Sequence, residues 1–193
     1  MKIRFLRSML AALFACSITT AQAADKTLIY CSSASPAGFD IAQYAAVTDS
    51  EASAATVYNG LVAFKRGSTE VIPALAEKWD ISADGLVYTF HLRRGVKFHT
   101  TRFFTPTREL NADDVVYTFE RMMSKEHPFR KAYPADFPYF TDMGMDKNLK
   151  SVEKVDDYTV KFTLYNLDAS FVQNMAMSFA IIHSREYMEK LLA

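Results

Sequence analysis

Residues 73–99 read PALAEKWDISADGLVYTFHLRRGVKFH, and the rest of the chain is organised around this segment. Over residues 87–93, apolar and polar side chains alternate strictly. Because successive side chains of a strand point to opposite faces, Tyr88, Phe90 and Leu92 share one face. The pattern therefore predicts a β-strand with one side against a core and the other side towards solvent.

The segments on either side of this strand contain turn residues. Asp84-Gly85 precedes it and predicts a reverse turn, because glycine adopts positive φ without steric cost. Residues 74–79 before that turn fit either a short helical turn or an extended segment, and both interpretations stay open. Gly95 ends the strand, and residues 96–99 form a second short apolar run.

The overall composition favours a folded domain without a nucleic-acid partner. The chain has 193 residues, 50% of them hydrophobic, which is enough for one domain, or for a small domain and part of another. Lys and Arg number 22, Asp and Glu also 22, and the formal net charge is zero. Nucleic-acid binding needs a basic surface, which this balance argues against.

The N-terminus has the pattern of an export signal. A basic start is followed by a short apolar run over residues 9–15 and by the small residues Ala21 and Ala23. This order predicts a signal peptide cleaved after Ala23, so that the mature chain begins at Ala24. The apolar run is too short to span a bilayer as a helix.

The two cysteines of the chain bear on where the export signal is cleaved and on whether a disulfide forms. A lipoprotein signal cleaved before Cys16 is the alternative, but Phe14 is bulky for that recognition, and we favour ordinary cleavage. Cys31 is then the single cysteine of the mature chain. An odd cysteine in an exported protein is either a free thiol or half of a disulfide.

Turn residues, helix caps and periodicity predict the remaining secondary structure. The expected strands and hairpins are a buried strand at 26–32, hairpins at 61–72 and 152–165, and a buried strand at 179–182. The expected helices run from about Thr48 to Gly60, after Asn111 with Asp113 and Asp114 in the first turn, after Asp168, and after Ser184. Residues 127–145 are expected to be an irregular loop packed by its own aromatic rings. An exposed aromatic interaction patch at 133–140 is the less favoured alternative.

No cluster of residues in the sequence indicates catalysis. The four histidines lack the close spacing that lets two imidazoles reach one metal ion, and they are His91, His99, His127 and His183. There is no nucleophile elbow, phosphate-binding loop or dinucleotide glycine motif. The residues alone thus predict an exported mixed α/β (α+β) domain without a visible active site.

A resemblance extends this interpretation. The motifs LAEKW at 75–79, YTFHLRRGVKFH at 88–99 and NADDVVYTFER at 111–121 follow the signature of the extracellular solute-binding proteins of ABC importers, family 5, the peptide class. Shorter motifs are similar to the dipeptide-binding subgroup of this family, and they lie at 28–32, 35–39, 58–62, 69–73 and 106–110. The chain is therefore identified as a member of the family.

Members of the family close two lobes over a ligand, and the resemblance implies the N-terminal part of a type II periplasmic-binding-protein-like fold. The implied divisions are a signal peptide (1–23), the start of the first lobe (24–57), an accessory subdomain of that lobe (58–182) and the start of the return to the lobe (183–193). The second lobe would lie outside this chain, and so would the disulfide partner of Cys31.

The resemblance also implies ligand-contacting residues. By position they are Val47, Thr48 and Asp49, although the subgroup often has a small residue where Val47 stands. Residues 79–99 carry over as scaffold and not as ligand contacts.

The implied function is non-covalent capture of dipeptides or oligopeptides in the periplasm. The ligand would be delivered to an inner-membrane ABC permease by a monomer that is not an enzyme and has no cofactor. Because the second lobe is expected to hold the termini of the peptide, this 193-residue chain is expected to bind a dipeptide weakly or not at all.

Three alternatives remain open at this point. The chain could be an exported metal-dependent hydrolase that uses two of the histidines. It could bind haem, a nickel complex or another small solute within the same family. It could also serve only as an interaction module.

Overall fold

A four-stranded antiparallel sheet forms the centre of the structure, a computed structural model that describes residue 29, residues 31–54 and residues 56–193. The strands are β1 Val62–Phe64, β2 Val71–Pro73, β3 Ala76–Ile81, β4 Val87–Leu92, β5 Leu149–Asp156 and β6 Thr159–Leu164. The helices are α1 Val47–Ala52, α2 Ala112–Met123, α3 Pro128–Ala132, α4 Pro138–Asp142, α5 Met145–Asn148, α6 Phe171–Asn174 and α7 Arg185–Lys190. Short 3₁₀ turns lie at Ile41–Gln43 and Ser178–Ala180, and residues 33–193 form one compact unit.

The stretch at 73–99 supplies two neighbouring strands of the sheet, whose order is β3-β4-β6-β5. Strands β3 and β4 are joined by the predicted turn, in which Gly85 has a φ of 69°. Tyr88, Phe90 and Leu92 are buried, which confirms the alternation. The segment before the turn is extended, which decides between the two interpretations left open for residues 74–79.

Aromatic rings between the sheet and the helices make up much of the core. The ring centroid of Phe162 on β6 lies 5.4 Å from the centroid of Phe90, 5.0 Å from that of Phe119 on α2, and 5.9 Å from that of Phe171. All four side chains are fully buried. Aromatic pairs with centroids at these separations stabilise the fold beyond the burial of their apolar area, through edge-to-face and offset contacts.

Helix α2 begins as the sequence predicts. The side chain of Asn111 accepts a hydrogen bond from Asp113 N, and Asp114 accepts one from Asn111 N at 3.0 Å. This reciprocal capping box satisfies N–H groups that the first helical turn leaves without partners. Val115 and Phe119 face the core below it.

The expected helix from Thr48 to Gly60 is wrong in length. Helix α1 ends at Ala52, where the hydroxyl of Ser53 donates to Asp49 O at 2.5 Å. Such a side-chain bond to the backbone competes with continuation of the helix. Gly60 is not a helix cap but pairs with Ile181 in an isolated antiparallel bridge.

Two other expectations also need correction. Residues 127–145 contain α3, α4 and α5 in place of an irregular loop. Pro128 and Pro138 each stand at the start of a helix. The backbone N–H that proline lacks would have no partner within the helix at this position, so proline is well tolerated there. Residues 179–182 form a 3₁₀ turn and the single bridge to Gly60 in place of a strand.

The remaining expectations divide into three groups. The hairpins at 61–72 and 152–165 and the cap at Ser184 are confirmed. Asp168 precedes α6 without capping it, and its carboxylate accepts from Ser170 N at 2.8 Å. The signal peptide and most of the strand at 26–32 lie outside the described residues. Within the described part of the chain, no helix is long and apolar enough to cross a bilayer.

Candidate functional site

The predicted ligand residues form the first turn of α1. Val47 is 70% exposed, Thr48 is half-buried, and Asp49 is 1% exposed. The structure therefore brings the three residues together but presents their side chains differently. Contact with a ligand stays a prediction for all three.

Asp49 is occupied by the loop that precedes the helix. One carboxylate oxygen accepts hydrogen bonds from Ala37 N at 2.6 Å and from Gly38 N at 3.4 Å. Gly38 lies so close to the ring of Tyr44 that an added Cβ would overlap it. Asp49 thus holds the middle of the loop at residues 33–40 against α1.

The far end of this loop is bound by an arginine from α2. Arg121 Nη1 lies 2.5 Å from Asp40 Oδ2, and Nη2 lies 2.7 Å from Oδ1. The planar guanidinium matches the two oxygens of a carboxylate, and paired charged hydrogen bonds of this kind are strong and directional. Arg121 is fully buried, whereas the side chain of Asp40 is 20% exposed.

A histidine completes this cluster. His183 Nε2 lies 3.2 Å from Asp40 Oδ1, without the alignment of a hydrogen bond. The centroid of its ring lies 5.0 Å from that of Tyr58, in an edge-to-face arrangement. Burial alone would raise the pKa of Asp40, but the paired hydrogen bonds and the charge of Arg121, together with the nearby His183, hold it well below its usual range. Burial, together with the charge of Arg121, lowers the pKa of His183.

Aromatic rings enclose the guanidinium of Arg121. Its Cζ lies 5.3 Å from the ring centroid of Phe137 and 5.7 Å from that of Phe129. Its Nε has no hydrogen-bond partner. The charge is therefore taken out of water, and Asp40 is the carboxylate that compensates it.

Arg121 is one of three polar residues on the buried side of α2, together with Asp114 and Thr118. Their spacing of i, i+4 and i+7 places them on one face of the helix, and all three are fully buried. We call these residues the polar stripe of α2. All three lie in the family motif at 111–121, which does not assign them a buried polar role, and polar residues at helical spacing beside an apolar face would have indicated it.

The polar stripe binds segments that are distant in the sequence. Asp114 accepts from Arg108 Nη1 at 2.6 Å and from Arg185 N at 2.8 Å. Thr118 Oγ1 accepts from His183 N at 3.1 Å. Arg121 holds Asp40, so the stripe binds the chain both before and after the sheet.

The chemistry available in this region is that of binding. A cavity of about 540 Å³ opens beside the cluster, where Asp40, Tyr58, His183 and Tyr187 line part of it. The Asp40 carboxylate is already neutralised there by Arg121. Among the described residues, no group of three or more His, Cys, Asp or Glu side chains is arranged to hold a metal ion.

The architecture of the chain is that of a known class of protein. The sheet, its covering helices and the preceding segment form the N-terminal part of a type II periplasmic-binding-protein-like fold. The family model described as Bacterial extracellular solute-binding proteins, family 5 Middle, matches residues 70–191. The chain belongs to this family of solute-binding, non-catalytic proteins.

Individual relatives agree with this assignment. Di/tripeptide-binding protein 1 of Pseudomonas aeruginosa (strain UCBPP-PA14) is 63% identical over 171 residues, which cover 89% of this chain and 32% of the relative. Heme-binding protein A of Haemophilus influenzae is 51% identical over 168 residues, or 87% of this chain and 31% of the relative. The solved structure of the dipeptide binding protein of Pseudoalteromonas sp. SM9913 in complex with Met-Leu has a TM-score of 0.81 and 40% identity, and the match covers 85% of this chain and 32% of that one.

These comparisons also set the scale of the chain. It spans about a third of the length of the relatives that it matches. Cys31 is exposed and has no partner among the described residues, so its predicted disulfide stays a prediction.

Proposed function

We propose that this chain contributes to the capture of dipeptides, as part of the first lobe of a periplasmic binding protein that serves an inner-membrane ABC permease. The observation that supports this most directly is the 63% identity to a di/tripeptide-binding protein over 171 residues. The signal-like N-terminus supports export to the periplasm, and the family supports a role without catalysis.

Capture in this proposal is non-covalent. The ligand is enclosed between two lobes, water is excluded, and the peptide is held by hydrogen bonds and by ion pairs to its termini. Of the three predicted contacts, Val47 and Thr48 offer the more accessible side chains. The carboxylate of Asp49 is engaged by Ala37 and Gly38, so its role is to shape the loop beside the ligand.

The single lobe is not expected to hold the ligand alone. Ion pairs gain strength only where water is excluded, and a surface that is open on one side leaves the peptide solvated. The chain by itself should therefore bind a dipeptide weakly or not at all, whereas the same chain opposite a second lobe should bind it.

Isothermal titration calorimetry with Met-Leu tests this proposal. The two samples are the 193-residue chain and a chimera in which this chain replaces the matching third of Di/tripeptide-binding protein 1. We expect the chimera to bind Met-Leu with a Kd of about 1 μM or lower, near 8 kcal/mol of binding free energy. The control ligand is N-acetyl-Met-Leu-amide, which lacks both charged termini and should bind far more weakly. A folded chimera that does not bind Met-Leu would overturn the proposal, and micromolar binding by the chain alone would contradict the need for two lobes.

The 51% identity to a heme-binding protein supports a second candidate within the same family. Haem would be recognised by a change in its visible absorption when it is titrated into the chain. The metal-dependent hydrolase requires bound metal and peptide cleavage. Metal analysis of the purified protein and chromatography of incubated Met-Leu would detect them.

A further inference from the structure

We infer that Arg121 is a positioning residue for the peptide site, because it fixes the loop at residues 33–40 and, through that loop, the first turn of α1. This inference rests on the proposed function, since it concerns the residues that would meet the peptide. Arg121 itself would touch no ligand.

The contact between Arg121 and Asp40 is strong. Both nitrogens at the tip of Arg121 bind both oxygens of Asp40, at 2.5 and 2.7 Å. The guanidinium is fully buried among aromatic rings. Separating the pair would leave a buried charge without compensation, which is strongly unfavourable, so the pair resists opening.

The loop at residues 33–40 has few other restraints. Within the described part of the chain, residues 33–39 make no backbone–backbone hydrogen bond. The loop is held instead by the Asp49 carboxylate, which binds Ala37 N and Gly38 N, and by Asp40 at its end. Its position therefore depends on two carboxylates, one bound by α2 and the other belonging to α1.

The loop is connected to the predicted ligand residues through Asp49. Asp49 follows Thr48 directly, and its side chain is bound to the middle of the loop. A loop released from Arg121 would keep the Asp49 contacts, but Asp40 would keep only its contact with His183 and a local hydrogen bond from Gln43 Nε2 at 2.7 Å. The loop and the first turn of α1 could then move together. Arg121 thus reaches the site through Asp40 and the loop.

The opposite end of the polar stripe provides a matched control. Arg108 also binds an aspartate of the stripe with two nitrogens, at 2.6 and 3.0 Å from Asp114. That contact stabilises the start of α2 and not the loop at 33–40. Arg108→Met removes a comparable ion pair without touching the loop.

Hydrogen exchange measured by mass spectrometry on the 193-residue chain tests the inference without any ligand. In Arg121→Met, we expect peptides that cover residues 33–53 to exchange about tenfold faster, whereas peptides from β4 and β6 change less than about twofold, because the opening is local. Arg121→Lys should be intermediate, and Arg108→Met should leave residues 33–53 unchanged. Asp40→Asn keeps the shape of the side chain, should speed exchange in the same segment, and replaces Arg121→Met if that variant does not fold.

Unchanged exchange at residues 33–53, or an equal rise of the exchange rate throughout the chain, would overturn the inference.

Calorimetry with Met-Leu on the chimera separates the positioning role of Arg121 from the proposed function. A chimera with Arg121→Met should bind with a Kd roughly tenfold higher, because the competent arrangement is less populated. Equal affinities of the two chimeras would also overturn the positioning role. If the unsubstituted chimera fails to bind Met-Leu, the proposed function fails, and the positioning of a peptide site fails with it. The exchange data would then establish only that Arg121 holds the loop.

Discussion

The sheet core and the segment at residues 33–54 are stabilised in different ways. In the core, four fully buried phenylalanines meet between β4, β6, α2 and α6. In the segment, Val47 on α1 is 70% exposed, and the loop is held by the carboxylates of Asp40 and Asp49. The part of the chain that carries the family motifs is therefore apolar scaffold, whereas the predicted site depends on a few directional polar contacts.

The two kinds of stabilisation should respond differently to the same disturbance. Apolar burial is non-directional and roughly proportional to the area removed from water. A buried ion pair depends on geometry and on the protonation of its members. Substitutions in the core should therefore weaken the whole fold, and changes at the polar cluster should act mainly on the segment.

The largest effect is expected for Phe162→Ala. It removes the ring that touches Phe90, Phe119 and Phe171, and such truncations cost about 3–5 kcal/mol of unfolding free energy. Urea denaturation followed by circular dichroism measures the change. The control is Lys161→Ala on the same strand but at a more exposed position, which should stay within about 0.5 kcal/mol. Equal losses in the two variants would show that the aromatic cluster is not the main support of the sheet.

Acidification should be the next largest disturbance, and it acts on the polar cluster. The pKa of His183 is lowered from its ordinary value of 6.5, so the unfolded chain takes up a proton more readily than the folded one. The stability that follows from this is fully present above about pH 6.5 and is lost as the pH falls below it. The pKa of His127 is lowered as well, also chiefly by burial, and adds in the same direction.

Asp40 extends this acid sensitivity to lower pH. Its pKa is held below the ordinary 3.8, so its contribution is present above about pH 4 and is lost progressively below it. For the native sequence, the urea concentration at the midpoint of unfolding should be lower at about pH 5.5 than at about pH 7.5. In His183→Gln, this difference between the two pH values should be smaller. A fall of equal size in His183→Gln would mean that other groups cause the acid sensitivity.

A smaller loss is expected at the cap of α2. Asn111→Ala removes the side chain that accepts from Asp113 N and should lower the free energy of unfolding by about 1 kcal/mol. Asn111→Ser retains a capping oxygen and should recover most of it. Thermal unfolding of the two variants provides the comparison, and an equally large loss in Asn111→Ser would argue against the cap as the cause.

The same contrast explains how much the sequence could predict. Strand β4, the turn at Gly85 and the cap at Asn111 each follow from local rules of alternation, positive φ and side-chain hydrogen bonding, so they were predicted from a few neighbouring residues. The hairpins at 61–72 and 152–165 follow for the same reason.

What the sequence did not predict depends on contacts between distant residues. Arg121 and Asp40 are 81 positions apart, and no periodicity links them. Helix α1 is short because of tertiary and side-chain contacts of Asp49 and Ser53, although the composition of residues 48–60 suits a longer helix. The proposed site thus lies where local rules are least informative.

The smallest effect on stability, with a separate effect on binding, is expected at Val47. Because its side chain is 70% exposed, Val47→Asp should change the free energy of unfolding by less than about 0.5 kcal/mol. In the Met-Leu chimera, the same carboxylate would be taken out of water next to the ligand when the lobes close, which is costly without a partner. The Kd measured by calorimetry should therefore rise, whereas Val57→Asp, at another exposed valine outside α1 (45% exposed), should leave it unchanged. Unaltered affinity in Val47→Asp would remove α1 from the proposed site, because a residue that faces a peptide in a closed pocket cannot accept an unpaired charge without loss.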